Sequence, residues 1–333
     1  MIAADPILLN DWHAVAKVED CPPGKILTTR LLGEDLVLWR PLDPQAPVQA
    51  WQDRCPHRGA PLSLGKVCDR TLACVYHGWE YDPTGKCVLI PPHPALEPPA
   101  GAQIKTYHCR ERYGAVWVCL GTPSADVPPF PEWDEPNCLQ ILSEPIHGNA
   151  SGFRLVEIGI DFTHFRYLHN QTECNPQVHE DFQVEMTTDG ITVCERHFPD
   201  ADSQGKRVTY TSTSSMKIPH PLRLYSYIEI TQGPYKGRFA FLTAITPVEE
   251  EKSVQWSFTA TNMDKAMLPQ WLVFNQQVQQ EDVWMAERLQ PKRMPLIPPT
   301  DNKWPADLHV PSDRSSVTYR KWLKQIGVTY GVC

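Results

Sequence analysis

The stretch Trp51-Gln52-Asp53-Arg54-Cys55-Pro56-His57-Arg58-Gly59, with its counterpart Cys74-Val75-Tyr76-His77-Gly78-Trp79, decides the reading of this chain. Sixteen residues separate His57 from Cys74. Each half joins one thiol to one imidazole and runs into small or turn-forming residues, Arg58-Gly59-Ala60-Pro61 in the first and Gly78-Trp79 in the second. Both therefore read as tight loops, placed to grip one cofactor from opposite sides. Two cysteine thiolates on one iron and two neutral imidazoles on the other are the ligands of a [2Fe-2S] cluster with unequal irons. Exchanging two anionic ligands for neutral ones raises its reduction potential. A structural zinc site uses the same donor types. It fits less well, because zinc knuckles pair Cys with Cys and His with His, whereas here the two alternate within each loop.

A cluster domain needs only part of 333 residues, and the length suggests two domains. With 41% hydrophobic and 10% aromatic residues the composition is that of a globular enzyme, and no apolar run is long enough to span a bilayer. The start, Met1-Ile2-Ala3-Ala4-Asp5-Pro6, shows neither the basic nor the apolar region of an export signal. Eleven cysteines without such a signal imply reduced thiols and a cytoplasmic protein. A net charge of −8 weighs against nucleic acid as a partner. Around the cluster loops the balance reverses: Arg40, Arg54, Arg58, Lys66, Arg70 and Lys86 crowd a stretch where an acidic electron donor could dock by electrostatic steering.

Residues 1 to about 135 read as short strands between turns, among them Leu36 to Arg40, Thr71 to Val75 and Ala115 to Leu120. The proline-rich passage Pro128 to Pro136 makes the best boundary, dividing the chain into 1–135 and 136–333. Beyond it stands Asp161-Phe162-Thr163-His164-Phe165-Arg166-Tyr167-Leu168-His169. Asp161 and His164 would share a face of a helix, where the carboxylate could accept the imidazole N–H. His164 and His169 are five apart, about 140° on an ideal helix, so a helix must end, kink or bulge between them if both bind one metal. Two histidines need a carboxylate to complete the facial triad of a non-haem Fe(II), which leaves three positions open. On the helical pattern Pro269 to Gln290, Asp282 lies in an apolar stripe with Val278, Met285 and Leu289, whereas Glu281 falls with Gln277 and Arg288 on a wetter face. A carboxylate on an apolar stripe needs a partner, and Asp282 is the expected third ligand.

As a set, these residues resemble the catalytic subunits of Rieske non-haem iron oxygenases. The resemblance implies an α+β protein: an all-β Rieske domain, 1–135, followed by a helix-grip catalytic domain, 136–333, with a curved antiparallel sheet. It implies that Cys55, His57, Cys74 and His77 hold the cluster, that His164, His169 and Asp282 hold the Fe(II), and that Asp161 bridges the two centres across a subunit interface. A homotrimer follows, as does a separate NAD(P)H-dependent reductase or ferredoxin; the chain itself shows no Gly-rich dinucleotide fingerprint. Many members carry an asparagine three residues before the bridging aspartate, where this chain has Ile158. Within the family, residues 51–59, 112–121 and the ending from His309 to Cys333 look like those of cyanobacterial saxitoxin-pathway oxygenases. That kinship implies hydroxylation, with O2, of a C–H bond in a small guanidinium alkaloid. Oxidative demethylation or desaturation uses the same iron site and is the alternative; a pure electron carrier is a more distant one.

Overall fold

The computed structural model describes residues 5–169, 183–187, 190–201, 207–231, 235–296 and 307–333. The chain divides into two units, Met1–Pro129 and Phe130–Cys333. This division falls inside the proline-rich passage and ahead of residue 135, because Phe130 and Trp133 pack on Tyr225 and Phe258 of the second unit.

β-Branched and aromatic runs between turns give the first unit its strands, as the pattern predicts. A helical turn, α1 (Pro6–Leu9), precedes an antiparallel six-stranded sheet in the order His13–Lys17, Ala115–Cys119, Thr106–Arg112, Gln49–Gln52, Glu34–Trp39, Ile26–Leu31. A smaller sheet, Lys66–Cys68, Thr71–Ala73, Glu80–Tyr81 and Cys87–Leu89, carries the second ligand loop between its second and third strands. Thr71–Ala73 stops short of Val75 because Cys74 already begins that loop. One core joins the sheets: Trp39, Trp51, Leu62, Leu72, Tyr81 and Ile104 are buried together with Cys55 and Cys74. Trp39 and Trp51 meet edge to face at 4.8 Å, and burying side chains of this size contributes roughly 1.5–3 kcal/mol each. Arg40 does not belong to the exposed basic cluster. It is buried and donates to the Cys21 and Ala46 carbonyls and to Glu111.

The second unit is an antiparallel sheet with helices on one face. Its strand order is Leu139–Leu142, Lys252–Thr261, Gly237–Glu249, Arg223–Ile230, Arg207–His220, Gly190–Ala201, Val184–Thr187, with Ile146–Gly148 also paired to Lys252–Thr261. Along Lys252–Thr261, Val254, Trp256, Phe258 and Ala260 alternate with Gln255, Ser257, Thr259 and Thr261, so apolar residues line one face and polar residues the other. The polar face is buried too, because the long helix α4 (Leu268–Ala286) lies over it. There Ser257 Oγ donates to Gln279 Oε1 at 2.8 Å, and Trp271 stacks on Phe239 and Phe241. Helix α2 (Gly152–Gly159) packs against both the sheet and α4, with its start capped by Ser151. The observed fold is the expected α+β class. Among the described residues no helix is long and apolar enough to cross a membrane.

Candidate functional site

The two cluster loops are built alike. Gly59 N–H donates to the Cys55 carbonyl and Cys55 N–H to the Ala60 carbonyl; Gly78 N–H donates to the Cys74 carbonyl and Cys74 N–H to the Trp79 carbonyl. Each loop turns through a glycine at positive φ, 74° at Gly59 and 71° at Gly78, a conformation that costs other residues about 1–2 kcal/mol. Cys55 and Cys74 are buried and unbonded to each other as a disulfide, while His57 and His77 are half-buried with ring centroids 4.6 Å apart. His57 stacks on Trp79, and Tyr81 Oη lies 3.2 Å from Cys55 Sγ. Burial pushes the Cys74 thiol pKa up, and coordination to a metal removes that obstacle by taking the proton outright. His57 is pushed down by burial and by the neighbouring His77 and Arg58 charges, which favours the neutral ring that a metal needs. Two buried thiols and two half-buried imidazoles thus fit a [2Fe-2S] cluster in number and type of donor.

The second constellation comes together around one helical turn, α3 (Phe165–Leu168). His164 precedes that turn and His169 follows it, so the helix ends where the 140° mismatch requires. Asp161 departs from the helical expectation. It lies beyond the end of α2, and its Oδ1 accepts the Thr163 N–H at 2.8 Å while its Oδ2 sits 3.6 Å from His164 Nδ1. From α4, Asp282 Oδ1 stands 3.2 Å from His164 Nε2 and 3.1 Å from His169 Nε2, and the two ring nitrogens are 3.2 Å apart. Metal–ligand bonds of about 2.1 Å at right angles put neighbouring donors about 3 Å apart. The triangle has the size of one face of an octahedron. Among the described residues, Asp282 Oδ1 is nevertheless buried without a hydrogen bond of ordinary geometry. A cation held by His164, His169 and Asp282 would satisfy that oxygen, and one ligand atom from each of the three lies within 4.8 Å of the others.

The electrostatics agree. Burial alone would lower the His164 pKa, but Asp161 and Asp282 outweigh it and hold it up at about 9. Burial would likewise raise Asp282, yet the two histidines hold it below the usual carboxylate range. The pocket favours positive charge.

Periodicity was a poorer guide to Glu281. Rather than lying on a wet face alone, its Oε2 meets His169 Nδ1 at 2.7 Å, and its Oε1 accepts from Gln277 Nε2 at 2.8 Å. The Gln277–Glu281 spacing of four was the one sequence signal that the carboxylate is held. Ile158 is buried in α2 and Glu157 beside it pairs with Arg154 and Arg320. Ser315 Oγ of α5 (Arg314–Gln325) donates to the Ile160 carbonyl at 2.8 Å, so the C-terminal ending braces the segment that leads into Asp161. Of the aromatic residues that could line a substrate site, Phe241 lies on the α4-covered face of the sheet, where Trp271 of α4 stacks on it, whereas Tyr225 bonds Glu132 at 2.5 Å and pairs in register with Leu242 of the opposite face.

Residues 11–108 match the Rieske [2Fe-2S] domain family, and residues 150–328 match the vanillate O-demethylase oxygenase C-terminal domain family. Methylxanthine N1-demethylase NdmA of Pseudomonas putida is 28% identical over 337 residues, covering 96% of this chain and 89% of that protein. Methylxanthine N3-demethylase NdmB of the same organism is 26% identical, covering 97% and 90%. The solved structure of NdmA with caffeine superposes with a TM-score of 0.78 at 26% identity, covering 96% of this chain and 90% of that one. Such enzymes work with a Rieske [2Fe-2S] cluster and a mononuclear iron, and the two donor sets described above fit these cofactors in number and type. The chain belongs to the Rieske non-haem iron oxygenases, in the group whose catalytic domain is of the vanillate O-demethylase type.

Proposed function

We propose that this chain is the terminal oxygenase of a system that removes a methyl group from a small N-methylated heterocycle. The observation that carries this reading is similarity over nearly the whole length to two methylxanthine demethylases. In it, Cys55 and Cys74 bind one iron of the cluster and His57 and His77 the other, while His164, His169 and Asp282 hold the mononuclear iron. That iron, when bound, supplies reductive activation of dioxygen at its open positions. The net reaction takes up O2, two electrons and two protons. One oxygen atom enters a methyl C–H bond, the hydroxymethyl group departs as formaldehyde leaving N–H, and the other oxygen becomes water.

In this reading Asp161, which accepts the Thr163 N–H and lies 3.6 Å from His164 Nδ1, connects the iron imidazole to a cluster histidine of a neighbouring subunit in a homotrimer. Asp161→Ala blocks electron delivery in this reading while both metal centres stay loaded. Electrons come from a separate NAD(P)H-dependent reductase or ferredoxin, for which exposed Arg54, Arg58, Lys66, Arg70 and Lys86 offer a basic docking surface. Turnover with a ferredoxin donor then falls as ionic strength rises.

Hydroxylation of a saxitoxin-type guanidinium alkaloid is a second reading, favoured by residues 51–59, 112–121 and 309–333. The two differ only in which C–H bond the substrate presents, since a hydroxyl on an N-methyl carbon collapses and one on a ring carbon persists. Anaerobically reconstituted protein, supplied with a surrogate reductase and O2, is assayed on methylxanthines and on saxitoxin-type alkaloids. Formaldehyde in step with substrate loss supports demethylation. A stable gain of one oxygen without formaldehyde supports hydroxylation, and no substrate-dependent O2 uptake with either class argues against both.

A further inference from the structure

We infer that Glu281 is the positioning residue of His169, fixing which ring nitrogen faces the metal; this rests on the assignment of His164, His169 and Asp282 as iron ligands. His169 is held between consecutive carboxylates of α4. Glu281 Oε2 lies 2.7 Å from its Nδ1, and Asp282 Oδ1 lies 3.1 Å from its Nε2. The His169 side chain is 1% exposed, so water does not compete for either nitrogen, whereas Glu281 remains 29% exposed at the edge of the site.

A carboxylate accepts hydrogen bonds and donates none, so the short contact places the proton of a neutral imidazole on Nδ1. Nε2 is then left with its lone pair, directed to the point shared with His164 Nε2 and Asp282 Oδ1. Gln277 Nε2, one turn earlier, donates to the other Glu281 oxygen at 2.8 Å and stops the carboxylate from swinging to solvent. The two histidines are supported unequally. His164 has Asp161 at 3.6 Å, beyond hydrogen-bond range, and its Nδ1 is buried without a hydrogen bond among the described residues. His169 therefore is the ring oriented in advance, and Glu281 is what orients it. Partners of this kind raise ligand basicity, and their loss typically costs about 10- to 100-fold in metal affinity.

The test uses the full chain with its cluster oxidised and therefore silent in electron paramagnetic resonance, with Co(II) titrated into the mononuclear site. Four variants are compared: Asp282→Ala, Glu281→Ala, Glu281→Gln and Gln277→Ala. Asp282→Ala abolishes Co(II) binding if the ligand assignment holds; retained binding there defeats the assignment itself. With that settled, Glu281→Ala weakens Co(II) about 10- to 100-fold and shifts the high-spin Co(II) signal, with the thermal transition unchanged. Glu281→Gln, whose amide oxygen still accepts from Nδ1, recovers part of the affinity, and Gln277→Ala loses less than Glu281→Ala. Wild-type affinity and an unaltered signal in Glu281→Ala overturn the proposal while leaving the triad intact. If Glu281→Ala lowers the thermal transition, Glu281→Gln and Gln277→Ala decide: unchanged Co(II) affinity and signal in both also overturn it.

Discussion

Two groups of buried or half-buried charge lie in the second unit, and they are balanced in opposite ways. Behind α2, Glu157 accepts from Arg154 at 3.0 Å and from both Nε and Nη2 of Arg320 at 2.5 Å and 3.0 Å, and Asp307 takes the remaining arm of Arg320 at 2.8 Å. Arg154 further donates to the Pro291 carbonyl. Two carboxylates meet two guanidinium groups, and the hydrogen bonds of Glu157 are shared out in fork geometry. At the end of α3, by contrast, Asp161, Glu281 and Asp282 face two imidazoles, and among the described residues Asp282 Oδ1 is buried without a hydrogen bond. A balanced network is a structural tie. An unbalanced one leaves room for a positive charge, which a metal would supply in the function proposed above.

The comparison breaks most visibly at Asp282. Asp282→Ala reduces the iron content from three per chain to two and abolishes substrate oxidation, because the loss of a ligand exceeds the roughly 10- to 100-fold effect of losing a ligand's partner. Metal analysis with acid-labile sulfide checks it, and sulfide should be unchanged. A smaller effect, of another kind, belongs to the balanced network. Glu157→Ala takes the shared carboxylate from buried Arg154 and half-buried Arg320 and lowers stability by about 3–5 kcal/mol, read as a lower denaturation midpoint. Adding Fe(II) or Co(II) anaerobically to the protein stripped at the mononuclear site sharpens the contrast. Free metal at 100 times its dissociation constant stabilises the fold by about 2.7 kcal/mol, a gain that Glu157→Ala keeps and Asp282→Ala loses. The least effect is expected of Arg320→Lys. It keeps the charge but loses part of the fork to Glu157, at about 1.5 kcal/mol, and equilibrium unfolding measures it.

How much of this was legible depended on how far apart the cooperating residues lie. The cluster loops could be read because each ligand pair falls within a few residues, and the backbone bonds that close the loops run from Cys55 to Gly59 and Ala60, and from Cys74 to Gly78 and Trp79. The need for a helix to end between His164 and His169 followed from helical periodicity alone, and α3 stops there. Asp282 emerged from its apolar neighbours because a carboxylate among Val278, Met285 and Leu289 asks for a partner. Glu281 was hidden by the same reasoning. Periodicity sorts residues by face but not by what a distant segment brings to that face, and His169 is 112 positions away in the chain. Arg40 escapes the sequence for a related reason: a cation close in sequence to exposed cations reads as one of them, although Glu111 and two carbonyls draw it into the core.

Sequence alone determined the α+β class, the two Cys-His loops and the expectation of a His-His-Asp set, because those depend on local spacing and periodicity. Only the tertiary structure decided that Asp161 caps a turn instead of riding a helix, that Glu281 backs His169, and that the C-terminal helix braces Ile160 through Ser315. Hydrogen bonds of that kind join segments more than a hundred residues apart, or depend on where one helix ends. Their partners are chosen by packing in three dimensions, which no window along the chain contains.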